Sequence, residues 1–263
     1  MRLMIEYDVD KAVAVVTLNR PDVLNAFNDE LGKLTLDAVE RAAADGEVRC
    51  IVITGAGRAF SSGEDLEALS SSYKSGEAPE LGQTLVDRYN PLIRTIRGAP
   101  KPVVAAVNGV AAGAGASIAL ACDHRIASQH AKLVLAFIKV GLVPDSGAVW
   151  FLTRLIGTAR AWELASTGDP VSAEKGLVLG LFDKVAEAKN FEQEWRSFAE
   201  RLATGPTAAY ALTKGLLYGA ADRTLDEQLE AEVEAQTTAG RTEDHLEGMR
   251  AFFEKRPPEF KGR

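Results

Sequence analysis

Apolar positions along this chain follow two rhythms. Val13 to Leu18 (VAVVTL), Cys50 to Thr54 (CIVIT) and Val103 to Val107 (VVAAV) are short, continuously apolar, β-rich runs. They stop at Asn19-Arg20-Pro21, Gly55-Ala56-Gly57 and Asn108-Gly109 respectively. Such runs between turn residues predict buried strands. Between them the period lengthens: Leu31, Leu34, Ala38, Val39 and Ala42 recur at helical spacing over residues 29–44, and the Ala-rich stretch 111–121 predicts another helix. Strands alternating with helices as far as Gly180 argue for an α/β architecture.

Caps and stripes place further helices. Thr158 is the expected N-cap of a helix over 159–167 and Ser172 of one over 173–180. Phe191, Trp195, Phe198 and Leu202 form an apolar stripe. Beyond Gly205-Pro206 the chain turns helical, with Leu225, Leu229 and Val233 on one face. Thr242 is expected to cap a last helix that Pro257-Pro258 ends. Ser70 to Gly76 reads as a loose polar segment.

Bulk properties remove some function classes. The 263 residues are 46% hydrophobic and 25% charged, enough to bury a sizeable core as one domain or a domain with an appendage. A net charge of −7 offers nucleic acid no basic surface, so no nucleic-acid partner is expected. No apolar run is long enough to cross a bilayer, so no membrane span is expected. Acidic residues come too early in the chain for a secretory leader. Cys50 and Cys122 lie in apolar surroundings and read as buried thiols in a reducing cytoplasm. His124, His130 and His245 lack metal-ligand spacing, so no metal is expected.

Two glycine-containing turns follow strands. Gly55-Ala56-Gly57-Arg58-Ala59-Phe60 begins like a dinucleotide fingerprint, but Phe60 stands in the third glycine's place and no strand-end acid follows. Asn108-Gly109-Val110-Ala111-Ala112-Gly113-Ala114-Gly115 opens a helix. Its small residues suit tight packing, and equally a helix N-terminus whose free N–H groups meet negative charge.

Together these turns carry a resemblance. The chain is similar to the crotonase (enoyl-CoA hydratase/isomerase) superfamily in Leu18-Asn19-Arg20-Pro21, Leu24-Asn25-Ala26, Gly57 to Leu66, Lys101 to Gly109, Ala121-Cys122-Asp123, Gly141-Leu142-Val143-Pro144 and Leu152 to Gly157, in the family's order. The resemblance implies a spiral of ββα units over residues 1–200, holding the CoA and acyl site. A helical C-terminal region over 201–263 would serve trimer formation, as a homotrimer or dimer of trimers. It implies an acyl-CoA thioester as substrate, with coenzyme A part of that substrate and no separate cofactor. The family's oxyanion hole falls on the N–H groups of Glu64 and Ala114. Leu24, Ala26, Ala59, Ser62, Gly63, Asp65 and Leu66 would follow the CoA, and Gly109, Val110, Gly113 and Phe137 would line the substrate site. Lys255 or Arg256 would be candidates for a CoA phosphate, against the commoner reading of basic residues solvated beside a helix end.

The sequence departs from the family's hydratases at both catalytic glutamates, which Ser117 and Phe137 replace. Neither can act as a base unaided. Asp145 stands where glycine is usual. It reads either as an N-cap for the helix after it or as a lone base desolvated by an apolar lining. The glycine turn, the segment Leu142 to Gly147 and the closing Arg250 to Phe260 look most like the ring-epoxide phenylacetyl-CoA isomerase branch. That resemblance favours proton shuttling by Asp145 over hydration. A hydratase using Asp145 with an ordered water is the nearest alternative; a dehalogenase-like member and a non-catalytic acyl-CoA- or RNA-binding relative are weaker ones.

Overall fold

A computed structural model describes residues 3–68, 70, 74–76 and 79–263. Strand β1 (Ile5–Asp10) pairs antiparallel with β2 (Val13–Leu18), and β3 (Cys50–Gly55), β5 (Val103–Val107), β7 (His124–Ser128) and β10 (Lys184–Ala186) continue the sheet in parallel, in the order β1-β2-β3-β5-β7-β10. The runs predicted as buried strands are buried on both faces, which is why they read as unbroken apolar stretches rather than alternating ones. A second sheet joins β4 (Ala59–Ser61), β6 (Val110–Ala112), β8 (Lys132–Val134) and β9 (Val171–Ser172) in the order β4-β6-β8-β9.

Three of the parallel strands are each followed by a short strand of the second sheet and then by a helix. So β3 and β4 precede α2 (Asn90–Gly98), β5 and β6 precede α3 (Ala114–Ala121), and β7 and β8 precede α4 (Ala148–Thr167). The expected ββα spiral is the architecture observed. One core lies inside it, with Phe27, Leu31, Ile53, Phe60 and Ile118 fully buried. On the sheet's other face, α6 (Phe191–Ala203) packs Phe191, Trp195, Ala199 and Ala203 against Val15, Val52 and Val104. The buried stripe therefore runs through Ala199 and Ala203, while Phe198 and Leu202 are only partly covered.

The predicted helix over 29–44 is α1 (Asp29–Ala44), capped by Asn28, whose side chain accepts the Leu31 N–H at 2.9 Å. Ser172 caps α5 (Ala173–Leu179) through the Lys175 N–H, as expected. Thr158 does not cap: α4 runs from 148 to 167, and the non-helical residue inside it is Gly157 (φ 75°, ψ 160°), which places Thr158 within the following helical turn. Of the segment read as loose, residues 71–73 lie outside the described residues. The two cysteines are unpaired and buried, and burial pushes the Cys122 thiol up to about 12. No helix among the described residues is long and apolar enough to cross a membrane.

Helices α7 (Thr207–Gly219), α8 (Leu225–Ala239) and α9 (Glu243–Glu254) complete the chain. Thr242 caps α9, and the helix closes at Lys255 in a left-handed conformation before Pro257 is reached. The last residues then return to the body of the protein. Arg49, just ahead of β3, donates to the Phe260 carbonyl at 2.8 Å, to Thr207 Oγ1 at 3.0 Å and to the Gly205 carbonyl. Hydrogen bonds from a charged donor contribute about 1.5–3 kcal/mol each. Arg49→Ala is therefore expected to lower stability by about 2–3 kcal/mol while leaving the spiral folded. Urea unfolding of the variant measures this, and an unchanged midpoint would show that the tail is held by other contacts.

Candidate active site

Two turns meet at the centre of the molecule. Asn25, fully buried with φ 56°, donates to the Ala56 and Ala59 carbonyls at 3.0 and 2.8 Å and accepts the Arg20 N–H at 2.9 Å. That locks the segment 24–27 against β4. Ser61 Oγ donates to the Asn25 carbonyl at 2.8 Å and accepts the Gly63 N–H at 3.1 Å. Phe27 then pairs with Glu64 as a parallel bridge: Phe27 N–H donates to the Gly63 carbonyl and Asp65 N–H to the Phe27 carbonyl. In that pattern the bonds to Phe27 come from residues 63 and 65, so the Glu64 N–H points away from Phe27.

The glycine turn approaches from the other side. Ala114 is the first residue of α3, so its N–H has no partner within the helix and sits at the positive end of the helix dipole. Gly63, with φ 92°, makes the approach possible. A Cβ there would stand 2.8 Å from the Ala112 carbonyl and 3.2 Å from the Ala114 nitrogen. Gly115 is equally confined, because a Cβ on it would meet Ser61 at 2.7 Å. The packing that brings residues 63 and 114 together is thus built from backbone against backbone.

Beside them is a cavity of about 140 Å³ whose lining includes Glu64, Gly113, Ala114, Phe137, Leu142 and Asp145. Phe137 closes one side, its ring edge 4.0 Å from where a Cβ on Gly113 would be. Asp145 comes from the loop before α4, and three contacts hold it. Its carbonyl accepts the Ala148 N–H at 2.9 Å and the Ser117 hydroxyl at 3.1 Å, and its Oδ1 accepts the Ser146 hydroxyl at 2.9 Å. Asp145 therefore does not cap α4 with its side chain. Only its carbonyl meets a helix N–H, and Gly147 is the N-cap. Desolvation by burial raises the Asp145 pKa above the ordinary carboxylate value; the Ser146 hydrogen bond opposes this, and the Glu64 charge adds to it. Ser117, at the first hydratase glutamate's place, is fully buried and serves to tie the Asp145 loop to α3.

The cavity's outer wall comes from the segment over 70–95, whose conformation the sequence does not reveal. Leu81, Thr84, Leu85 and Tyr89 line it, carried by a short helical turn (Leu81–Thr84) and a π-helical turn (Leu85–Tyr89) that lead into α2. Arg88 Nη1 donates to both carboxylate oxygens of Glu64, at 2.8 and 2.7 Å, its Nη2 pairs with Asp29, and the Tyr89 hydroxyl also donates to Glu64. Tyr89 is 2% exposed and packs on Phe27, ring centroids 5.9 Å apart. These partners lie far from Glu64 in sequence, and no local pattern announces them.

Ser62, Leu66 and Gly113 line the cavity as well; Leu24, Ala26, Ala59, Asp65, Gly109 and Val110 do not. Leu24 and Ser62 are joined by a Ser62 N–H to Leu24 carbonyl bond at 2.9 Å. Ala26 and Ala59 are almost wholly buried, and Val110 pairs with Ala59 between β6 and β4. The Asp65 carboxylate is held by Arg20 at 2.9 Å and by the Ala68 N–H, which makes it a brace for the first turn. Arg256 is engaged by Glu247 and Glu254. Among the described residues no group of His, Cys, Asp and Glu is placed to hold a metal ion.

Comparison with known proteins identifies the family. Residues 8–263 match the family model for enoyl-CoA hydratase/isomerase. The 1,2-epoxyphenylacetyl-CoA isomerase of Escherichia coli K12 is 44% identical, over 97% of each chain. The trans-2-decenoyl-[acyl-carrier-protein] isomerase of Streptococcus mutans is 37% identical, over 98% of this chain and 97% of its own. Among solved structures, an enoyl-CoA hydratase from Bacillus anthracis superposes with a TM-score of 0.92 at 32% identity, covering 99% of this chain and all of that one. A match over nearly the full length of the chain and a shared fold place it: the chain belongs to the enoyl-CoA hydratase/isomerase family of the crotonase superfamily.

Proposed function

We propose that this family member is an acyl-CoA isomerase in which Asp145 moves a proton while the Glu64 and Ala114 amides hold the enolate. The observation that carries the reading is that Asp145 and both amide-bearing turns border one small cavity, in which the Glu64 carboxylate is already engaged by Arg88 and Tyr89. Asp145 is left as the carboxylate free to act as a base. Its desolvation makes it a stronger one. On a 3-enoyl-CoA it takes a proton from C2, and the electron pair moves onto the thioester oxygen between the two N–H groups. The same proton then returns at C4 as the double bond settles between C2 and C3. Nothing is added or lost, so one base suffices. Two preorganised amides stabilise the developing charge, each contributing about 10²–10³ in rate.

The natural substrate would be a ring-epoxide phenylacetyl-CoA or a 3-enoyl-CoA, with coenzyme A as part of the substrate and no separate cofactor. Assembly as a homotrimer or dimer of trimers fits the apolar residues that α7 to α9 leave exposed, among them Leu217, Leu229, Val233, Phe252 and Phe253. A reducing, cytoplasmic setting suits the two unpaired thiols. The test is to incubate the protein with a 3-enoyl-CoA and with crotonyl-CoA and follow both by mass spectrometry. The expected result is isomerisation of the first without mass change and little or no water added to the second. Rapid hydration of crotonyl-CoA would instead favour Asp145 acting with an ordered water, the reading that the hydratase-named neighbour would suggest.

A further inference from the structure

We infer that the acyl cavity selects compact, uncharged acyl groups, and that the Glu64 side chain is the residue that sets this selectivity. The inference rests on the reading that this cavity receives the acyl group. Glu64 has two separable parts: its amide belongs to the chain turn beside Ala114, whereas its carboxylate is held at the outer wall by Arg88 and Tyr89, near enough to Asp145 for its charge to be felt there.

The charge inventory of the cavity is one-sided. Its ionisable lining side chains are Glu64, Asp145 and Tyr89; no lysine, arginine or histidine lines it among the described residues. Arg88 supports the wall from behind: its Nη1 donates to both oxygens of Glu64 and its Nη2 to Asp29, while its Nε is buried without a partner. An acyl chain ending in a carboxylate would meet Asp145 and a Glu64–Arg88–Asp29 cluster in which two carboxylates share one guanidinium, which leaves it one net negative charge. Like charges a few ångströms apart in a partly desolvated site repel strongly. A neutral chain or ring instead meets Leu66, Leu81, Leu85, Phe137 and Leu142. The volume of about 140 Å³ also sets a size. A cavity of about 150 Å³ accommodates a benzene ring, so the space suits one ring or a short chain.

The same pairing fixes the width. Arg88 and Tyr89 end the π-helical turn whose neighbours Leu85 and Thr84 form the wall. Gly32 in α1 leaves room for the Arg88 stem, since a Cβ there would come within 2.5 Å of it. Glu64 is thus a positioning and specificity residue through its carboxylate, apart from its amide.

The test compares hexanoyl-CoA with adipoyl-CoA, which have the same carbon count and differ by a terminal carboxylate, by titration calorimetry on the full chain. The wild-type protein is expected to bind hexanoyl-CoA at least about tenfold more tightly, with the ratio shrinking as salt is added. Glu64→Gln releases the Arg88 charge and should bring the ratio close to one or invert it. Arg88→Met leaves Glu64 unneutralised and should widen it. The ratio is measured within each protein, so a general loss of affinity in a variant cancels. Equal wild-type affinities, or a Glu64→Gln ratio unchanged from wild type, would overturn the inference. Binding needs no turnover, so a protein that hydrates rather than isomerises would still show the preference, and the two readings fail separately.

Discussion

Asp145→Asn is expected to leave a folded protein that isomerises 3-enoyl-CoA about 10²–10⁴-fold more slowly, the range typical for loss of a positioned general base. The substitution keeps the shape of the side chain and the backbone bonds from Ala148 and Ser117, so the loss should fall on kcat rather than on KM. The pH profile gives an independent check. A base must be ionised to act, and burial raises the Asp145 pKa. The wild-type rate should therefore fall on acidification at a pH above that of an ordinary carboxylate, and Asp145→Asn should lack this limb. Stability should move the other way. A carboxylate whose folded pKa exceeds its unfolded pKa binds more protons when folded, so its contribution to stability declines as pH rises through that window. At neutral pH the charged, desolvated side chain disfavours folding, and Asp145→Asn should melt no lower than wild type. An active Asp145→Asn protein would place the base elsewhere.

The second large effect is expected at Gly63. Gly63→Ala puts a Cβ 2.8 Å from the Ala112 carbonyl and 3.2 Å from the Ala114 nitrogen, on a backbone with φ 92°. Either the Glu64 turn or the α3 N-terminus must give way, and each carries one of the two proposed oxyanion donors. Loss of one such donor costs about 10²–10³ in rate. The expected result is a fall of that size in kcat, with KM for the acyl-CoA changed far less, because the amides act most strongly on charge that develops after binding. The strain should also lower the melting temperature, so the kinetics are best measured well below it. A variant with full kcat would show that the two amides do not act together on the thioester oxygen.

The parts legible in the sequence and the parts hidden from it differ by the range of the interactions involved. The central parallel strands could be read because burial on both faces makes them unbroken apolar runs. Helix α1 could be read from its apolar spacing, and α5 and α9 from their caps, since Ser172 and Thr242 act within three residues. The β1–β2 hairpin was not legible: its turn uses Lys11 and Ala12 at φ 48° and 61°, where no glycine or asparagine marks it. The kink in α4 was displaced by one residue, because Thr158 looks like a cap and Gly157 supplies the break. The resemblance located Glu64, Ala114, Phe137 and Asp145, and the fold brings all of them to one cavity. Arg88 and Tyr89 escaped notice because their role exists only once the π-helical turn is seated over Glu64.

Sequence alone determined the class of fold and the family, and through the resemblance it pointed to the two turns proposed to present backbone amides and to Asp145 in place of two glutamates. These are local or pattern properties, set by side-chain size, charge and spacing. Tertiary structure alone decided that the Asp145 side chain is not a helix cap, that Ser117 anchors its loop, that Asp65 pairs with Arg20, and that Arg256 pairs with Glu247 and Glu254. It also decided that the Glu64 carboxylate is paired with Arg88, a cation from a distant part of the chain that Asp29 shares. Hydrogen bonds and ion pairs of this kind depend on distance and burial in space, and those quantities come into being only when the chain has packed.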